Sequence, residues 1–237
     1  MKSWLIIFAI ITCYSCTKSA GNVNTTQKTN KPDTISINYL ALGDSYTIGQ
    51  SEPADVSFPA QLTDALISSG YHVLNPTILA KTGWTTDALI QAIANSNIIH
   101  YKYQVVTLLI GVNDQYEGLT AEQYRPNFVQ LLHSAINFAG GDSTRVFVLS
   151  LPDYGVTPFG NGQDSIIGPQ IDAFNAVNKQ ESVKAGVNYL DITAISRQAA
   201  MYPTLIAPDG LHPSGAMYQM WVASLSPMVM ARLNKTN

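Results

Sequence analysis

Ile35-Ser36-Ile37-Asn38-Tyr39-Leu40-Ala41-Leu42, running into Gly43-Asp44-Ser45-Tyr46-Thr47, is the stretch that decides the fold. Its first part is an apolar run that reads as a buried strand. Its second part is a polar turn that opens a helix, with a serine at the turn. Near the other end of the chain stands Asp209-Gly210-Leu211-His212-Pro213, a carboxylate three residues before a histidine.

Outward from the first stretch, strands and helices alternate. Phe58–Ser68 places Phe58, Leu62, Ala65 and Leu66 at helical spacing and stops at Gly70. His72–Leu79 reads as the second strand, weakened in its middle by Pro76. Thr85–Asn95 reads as a helix with Ala88, Leu89, Ala92 and Ile93 on one face. Val105–Ile110 is the continuous apolar run of a strand buried on both faces. Thr120 to Phe138 is the best-marked helix, with a capping box at Thr120 and Gln123 and an apolar stripe of Phe128, Leu131, Leu132, Ala135 and Ile136. Val146–Leu149 is a fourth strand, Ile166–Lys184 a helix and Val187–Ile192 a fifth strand. Pro213 fits the first turn of a last helix, Ser214 to about Leu225, which Pro227 should kink or end. Alternation of this kind argues for a parallel sheet covered on both faces. The active site of such a sheet lies beyond the carboxyl ends of its strands.

The chain has 237 residues, 46% of them apolar, enough for one α/β domain with a substantial core. Its formal charge is −3, from 13 basic and 16 acidic side chains, with no basic patch, so nucleic acid is not an expected partner. The first residues read as a targeting segment. Lys2 is the positive end and Trp4 to Ile11 a short apolar region, below the roughly 20 residues that span a bilayer. Cys13-Tyr14-Ser15-Cys16 then resembles the end of a bacterial lipoprotein signal. Residues 1–15 would be cleaved, Cys16 would carry the lipid (Cys13 is the second candidate), and the polar residues 16–34 would tether the domain, residues 35–237. The expectation is an exported protein, lipid-anchored to a bacterial cell envelope at the outer membrane. Read instead as a redox pair or half a metal site, these two cysteines lack the second pair or the βαβ context that either needs.

A serine on a strand–helix turn, a histidine and a nearby carboxylate are the parts of a nucleophilic hydrolase. Four polar turns follow strands: Gly43-Asp44-Ser45, Gly83-Trp84-Thr85, Gly111-Val112-Asn113-Asp114, and Asp209 to His212 after what reads as a last strand segment. With Ser45, Gly83, Asn113 and His212 in that order, the chain resembles the SGNH hydrolases, also called GDSL lipases and esterases, from about Ile35 to about Leu225. The resemblance implies a flavodoxin-like three-layer α/β/α sandwich with a central five-stranded parallel sheet. It implies a catalytic Ser45, His212 and Asp209 and oxyanion donors at Ser45, Gly83 and Asn113, with no cofactor and no metal. Tyr46 stands where many members carry leucine or isoleucine, a change expected to affect packing. The α/β-hydrolase elbow G-x-S-x-G fits less well, since Thr47 replaces its last glycine.

From the residues alone, Ser45 could instead cap a helix, Asp44 hold the turn through backbone hydrogen bonds, and Asn113-Asp114 form an ordinary Asx-turn. A glycine at position 83 also makes sense because a Cβ there would obstruct a substrate oxygen. The segment from Pro152 to Phe159 mixes aromatics with Gly and Pro and reads either as a packed surface loop or as a pocket wall. Asp44, Trp84, Tyr154 and Phe159 are the candidate pocket residues. The expected substrate is a small-molecule or glycan ester, short-chain or O-acetyl, taken by a protein assumed monomeric. A lysophospholipase or thioesterase for longer chains and an inactive glycan-binding protein are the rival expectations.

Overall fold

The structure, a computed structural model, describes Met1 and residues 36–234. The expected signal segment, Cys16 and the tether lie outside the described residues. Five strands form one parallel sheet in the order β2-β1-β3-β4-β5, where β1 is Tyr39–Gly43, β2 Thr77–Ala80, β3 Val105–Leu109, β4 Val146–Leu149 and β5 Asn188–Leu190. The helices are α1 (Ser45–Ile48), α2 (Phe58–Ser68), α3 (Thr86–Ala94), α4 (Val112–Tyr116), α5 (Ala121–Phe138), α6 (Asp164–Ala185), α7 (Thr193–Ser196) and α8 (Gly215–Leu233).

Burial explains the strand order. Every residue of β1, β3 and β4 is buried, whereas β2 and β5 are partly exposed and sit at the edges. The chain runs from β1 outward to β2, then returns past β1 to β3. With right-handed crossovers, that reversal puts the helices before and after it on opposite faces. Accordingly α2 packs with α8, and α3 and α6 pack with α5. Phe58, Tyr218 and Trp221, all fully buried, fill the seam between α2 and α8 with ring centroids 5.1–6.3 Å apart. Phe58 contributes about 1.5–3 kcal/mol by leaving water. The reversal of strand order also leaves a crevice beyond the carboxyl ends of β1 and β3, where α/β sheets bind ligands.

The sandwich, the five parallel strands and the major helices agree with the reading of the sequence, and three details differ. The second strand does not run unbroken from His72. Ile37 bridges Val73 and Leu40 pairs with Thr77, so one side carries an extra residue around Pro76, and the strand resumes only after that proline. Proline has no N–H to give a ladder. The last helix starts after Pro213 rather than on it, because Pro213 is held in an antiparallel bridge to Ile206. It also passes through Pro227 to Leu233. Pro227 and Ala223, whose carbonyl it cannot serve, are both exposed residues, while Leu225, Ser226 and Val229 hold the helix from its buried side. Finally, no strand precedes Asp209. After β5 come α7 and two 3₁₀ turns, and the segment closes on itself through Ala207 N–H to His212 O and Ser214 N–H to Leu205 O, both 2.8 Å.

Candidate active site

The serine turn is built by close packing. Gly43 ends β1 against β3, where a Cβ would lie 2.4 Å from the Leu109 carbonyl and 2.1 Å from Thr47 Oγ1, so only glycine fits. Asp44 caps α1, its Oδ1 accepting the Tyr46 N–H at 3.0 Å. Ser45 is the first residue of that helix, and a first helical N–H has no partner within the helix. Asp44 is wholly buried. Burial pushes its carboxyl up to about 7, against the Tyr46 N–H, with the Asp114 charge adding to the rise. Asp44, rather than Ser45, therefore caps the helix and holds the turn through a backbone hydrogen bond, and it is not among the residues lining the cleft.

The sign of its effect on stability follows. A carboxyl whose folded pKa is raised stabilises the fold fully below its unfolded value of about 3.9, and that contribution is lost as the pH climbs through the folded value. We expect the wild type to lose more stability between pH 5 and pH 8 than Asp44→Asn does. Denaturant unfolding of both proteins at the two pH values checks this, and equal slopes would remove the assignment.

Two other turns are locked together. Asn113 Nδ2 donates to the Trp84 carbonyl at 2.9 Å. Asp114 accepts from the Thr86 N–H at 2.9 Å and from its hydroxyl at 2.5 Å. The Asn113 amide carries two N–H bonds and one is committed, so its orientation is set before any ligand arrives. Gly83 lies at φ +78°, and that backbone, rather than crowding, selects glycine: a Cβ would meet no protein atom within 4 Å. Gly111 is needed for both reasons, at φ +130° with a Cβ position 2.7 Å from the Tyr124 ring.

The histidine and its carboxylate share one turn. His212 Nδ1 lies 2.6 Å from Asp209 Oδ2, while Asp209 Oδ1 takes the Leu211 N–H at 2.9 Å and the His212 N–H at 3.0 Å. An ionised carboxylate only accepts, so the neutral imidazole carries its proton on Nδ1 and presents Nε2 as an acceptor. Sequence reading missed Ser51, whose hydroxyl donates to the same Oδ2 at 2.6 Å. Ser51 sits at φ +66°, a left-handed conformation that L side chains seldom adopt. Nothing local in Gly49-Gln50-Ser51 signals a partner 158 positions away. Partial burial works against the Asp209 charge, but the hydrogen bonds from Ser51, His212 and the backbone outweigh it and hold the carboxyl well below its ordinary range.

These turns meet at a cleft of about 160 Å³ lined by Ser45, Gly83, Asn113 and His212 on its reactive side and by Val112, Tyr116, Tyr154, Phe159 and Leu211 around it. Of the four candidate pocket residues, Tyr154 and Phe159 line it, whereas Asp44 and Trp84 do not. Trp84 packs partly buried against the core and contributes its carbonyl. Tyr46 lines the cleft too, its ring centroid 5.1 Å from that of His212, so the unusual residue after the serine packs on the histidine itself. The loop after β4 is tied down by the Asp153–Arg197 ion pair at 2.9 Å and by the Phe159 N–H, which donates to Gly210 O at 2.9 Å. Among the described residues, no group of three or more His, Cys, Asp or Glu side chains is arranged to hold a metal ion.

A serine, a histidine–carboxylate pair and an oriented side-chain amide at the carboxyl rim of a parallel sheet are parts that a carboxylic ester hydrolase uses, and the family of the chain is one of such hydrolases. The chain belongs to the GDSL-like Lipase/Acylhydrolase family, whose sequence pattern matches residues 41–220. No curated protein matches it by sequence. Solved structures share the fold. TesA is 17% identical, with 82% of this chain and 99% of that one covered and a TM-score of 0.66. A lipase/acylhydrolase from Enterococcus faecalis is 19% identical, with coverage of 83% and 96% and a TM-score of 0.67. Axe2, an acetylxylan esterase from Geobacillus stearothermophilus, is 21% identical, with coverage of 81% and 94% and a TM-score of 0.60.

Proposed function

We propose that the protein hydrolyses short-chain carboxylic esters, O-acetyl esters included, with Ser45 as nucleophile. The observation that carries this reading is the 2.6 Å contact of His212 Nδ1 with Asp209, on a histidine that lines one cleft with Ser45. Ser45 Oγ attacks the ester carbonyl while His212 Nε2 takes its proton. Asp209 holds the imidazole in the required tautomer and stabilises the imidazolium. The oxyanion is received by the Ser45 and Gly83 N–H groups and by the second N–H of Asn113. His212 then protonates the leaving alcohol. Water, deprotonated by the same histidine, attacks the acyl-serine and releases the acid.

The size of the cleft supports a short acyl group. At about 160 Å³ it is close to the roughly 150 Å³ apolar cavity that takes up one benzene. Clefts for larger ligands run from about 300 Å³ upward. On p-nitrophenyl esters we expect kcat/KM to peak at two to four carbons and to fall by more than about ten-fold at twelve. A profile rising with chain length would replace this reading with a long-chain lipase or thioesterase.

A further inference from the structure

A second depression adjoins the cleft, and no step of the proposed reaction uses it. It measures about 410 Å³ and shares Tyr116, Tyr154 and Phe159 with the cleft. The three rings stand 5.9–6.3 Å apart and form the ridge between the two hollows. Tyr116 is 62% exposed and Phe159 47%, so the ridge offers open ring surface to a ligand. Beyond it, Gln115, Gln163 and Gln170 line the hollow. Gln115 is buried and donates from Nε2 to Gln170 Oε1 at 2.7 Å, which orients both amides.

Charge and hydrogen bonding decide what such a hollow takes. No Asp, Glu, Lys, Arg or His lines it. A phosphate-bearing headgroup would be stripped of water there with no cation to meet it. A bare alkyl chain would cover amides that need partners, at about 1–3 kcal/mol for each group left unsatisfied. A neutral sugar meets both conditions, because its hydroxyls donate and accept as the amides do and its C–H faces lie flat on aromatic rings.

We propose that this hollow is the subsite for the alcohol part of the substrate, a neutral carbohydrate, so that the ester cut at Ser45 is an acylated oligosaccharide. A sugar ring lies across Tyr116 and Phe159, and its hydroxyls bond to Gln163 and Gln170. The inference rests on the Ser45 esterase reading and names the substrate class of that same site.

The test uses a Gln163→Ala, Gln170→Ala double variant. Both side chains are exposed, but Gln170→Ala also removes the partner of the buried Gln115 amide. Gln163→Ala alone is therefore measured beside the double variant and should shift the sugar-to-nitrophenyl ratio of kcat/KM in the same direction. In the kinetic arm, kcat/KM is measured on acetylated xylo- and gluco-oligosaccharides and on p-nitrophenyl acetate. The sugar-to-nitrophenyl ratio should fall by about ten-fold or more in the double variant, chiefly through KM. In the binding arm, the unacetylated oligosaccharides are titrated calorimetrically into Ser45→Ala with and without the two glutamines. Binding should weaken by a similar factor when they are absent. An unchanged ratio and unchanged binding, or a wild type that prefers lysophosphatidylcholine to the acetylated sugars, overturns the subsite while leaving the esterase standing. A wild type inert to p-nitrophenyl acetate overturns the esterase reading, and the titration alone then decides the subsite.

Discussion

Ser45→Ala should lower kcat on p-nitrophenyl acetate by about 10⁵–10⁶-fold, the loss typical when a serine nucleophile is removed from an intact triad. The other aliphatic hydroxyl lining the cleft, Thr82, donates to Gln50 Oε1 at 2.6 Å and has no histidine–carboxylate pair of its own to activate it. The residual rate should still exceed that in water, because the Gly83 and Asn113 donors are held by neighbours other than the serine side chain. The fold should be unaffected, since alanine is at least as good as serine in a first helical turn and the Asp44 cap bonds Tyr46 rather than Ser45. The check is steady-state kinetics with circular dichroism, together with labelling by a fluorophosphonate, which should modify the wild type and spare the variant. A variant keeping a tenth of the activity would mean that the nucleophile lies elsewhere. A wild type with no activity and no labelling would favour the inactive glycan-binding protein.

Asp209→Asn should cost about 10⁴-fold in kcat, a larger effect than one lost contact would produce. Two backbone N–H groups bond Oδ1, so an asparagine must keep its carbonyl oxygen there. Its NH₂ then falls at the place of Oδ2, facing His212 Nδ1. A donor facing Nδ1 turns that nitrogen into the acceptor and moves the proton to Nε2, the nitrogen that must take the serine's hydrogen. The histidine is left in the wrong tautomer at an unchanged position. Ser51→Ala supplies the graded comparison: one donor to Oδ2 is lost but the charge stays, so kcat should fall by about ten-fold or less. The pH effect has a definite sign. A lowered carboxyl contributes stability above its unfolded value of about 3.9 and loses it as the pH falls through the folded value. Without Ser51 that folded value rises, so acid unfolding should begin at a higher pH in Ser51→Ala. Equal acid midpoints would show that Ser51 does not act on the carboxylate.

Much of the fold was legible because its determinants are local. The runs at Tyr39–Gly43, Val105–Leu109 and Val146–Leu149 are apolar, but for Thr107 whose hydroxyl is met by that of Tyr39 at 2.9 Å, because both faces of a central strand are covered. The Thr120 capping box needs only residues within one turn of each other, and it formed as the pattern foretold, with both of its bonds present. The misreadings occurred where local signals compete with distant packing. Pro227 is a helix breaker by its own chemistry, yet the buried side chains around it carry α8 onward. The residues before Asp209 resemble a strand only until the chain finds a closer partner in its own next turn, the Ile206–Pro213 bridge.

The site divides along the same line. By itself the sequence determined which groups are present: a serine on a strand–helix turn, a histidine three residues after an aspartate, an amide and a glycine at turns after strands. Chemical type and short spacing are properties of the chain, and they already restrict the reaction class. Only the tertiary structure decided what each group faces. It set Tyr46 against His212, drew Ser51 to Asp209 across 158 positions, withdrew Trp84 from the cleft and stood Tyr116 and Phe159 beside each other at its mouth. Such contacts join segments far apart in sequence, and they exist only because sheet closure and helix packing have already met the entropy cost of bringing those segments together.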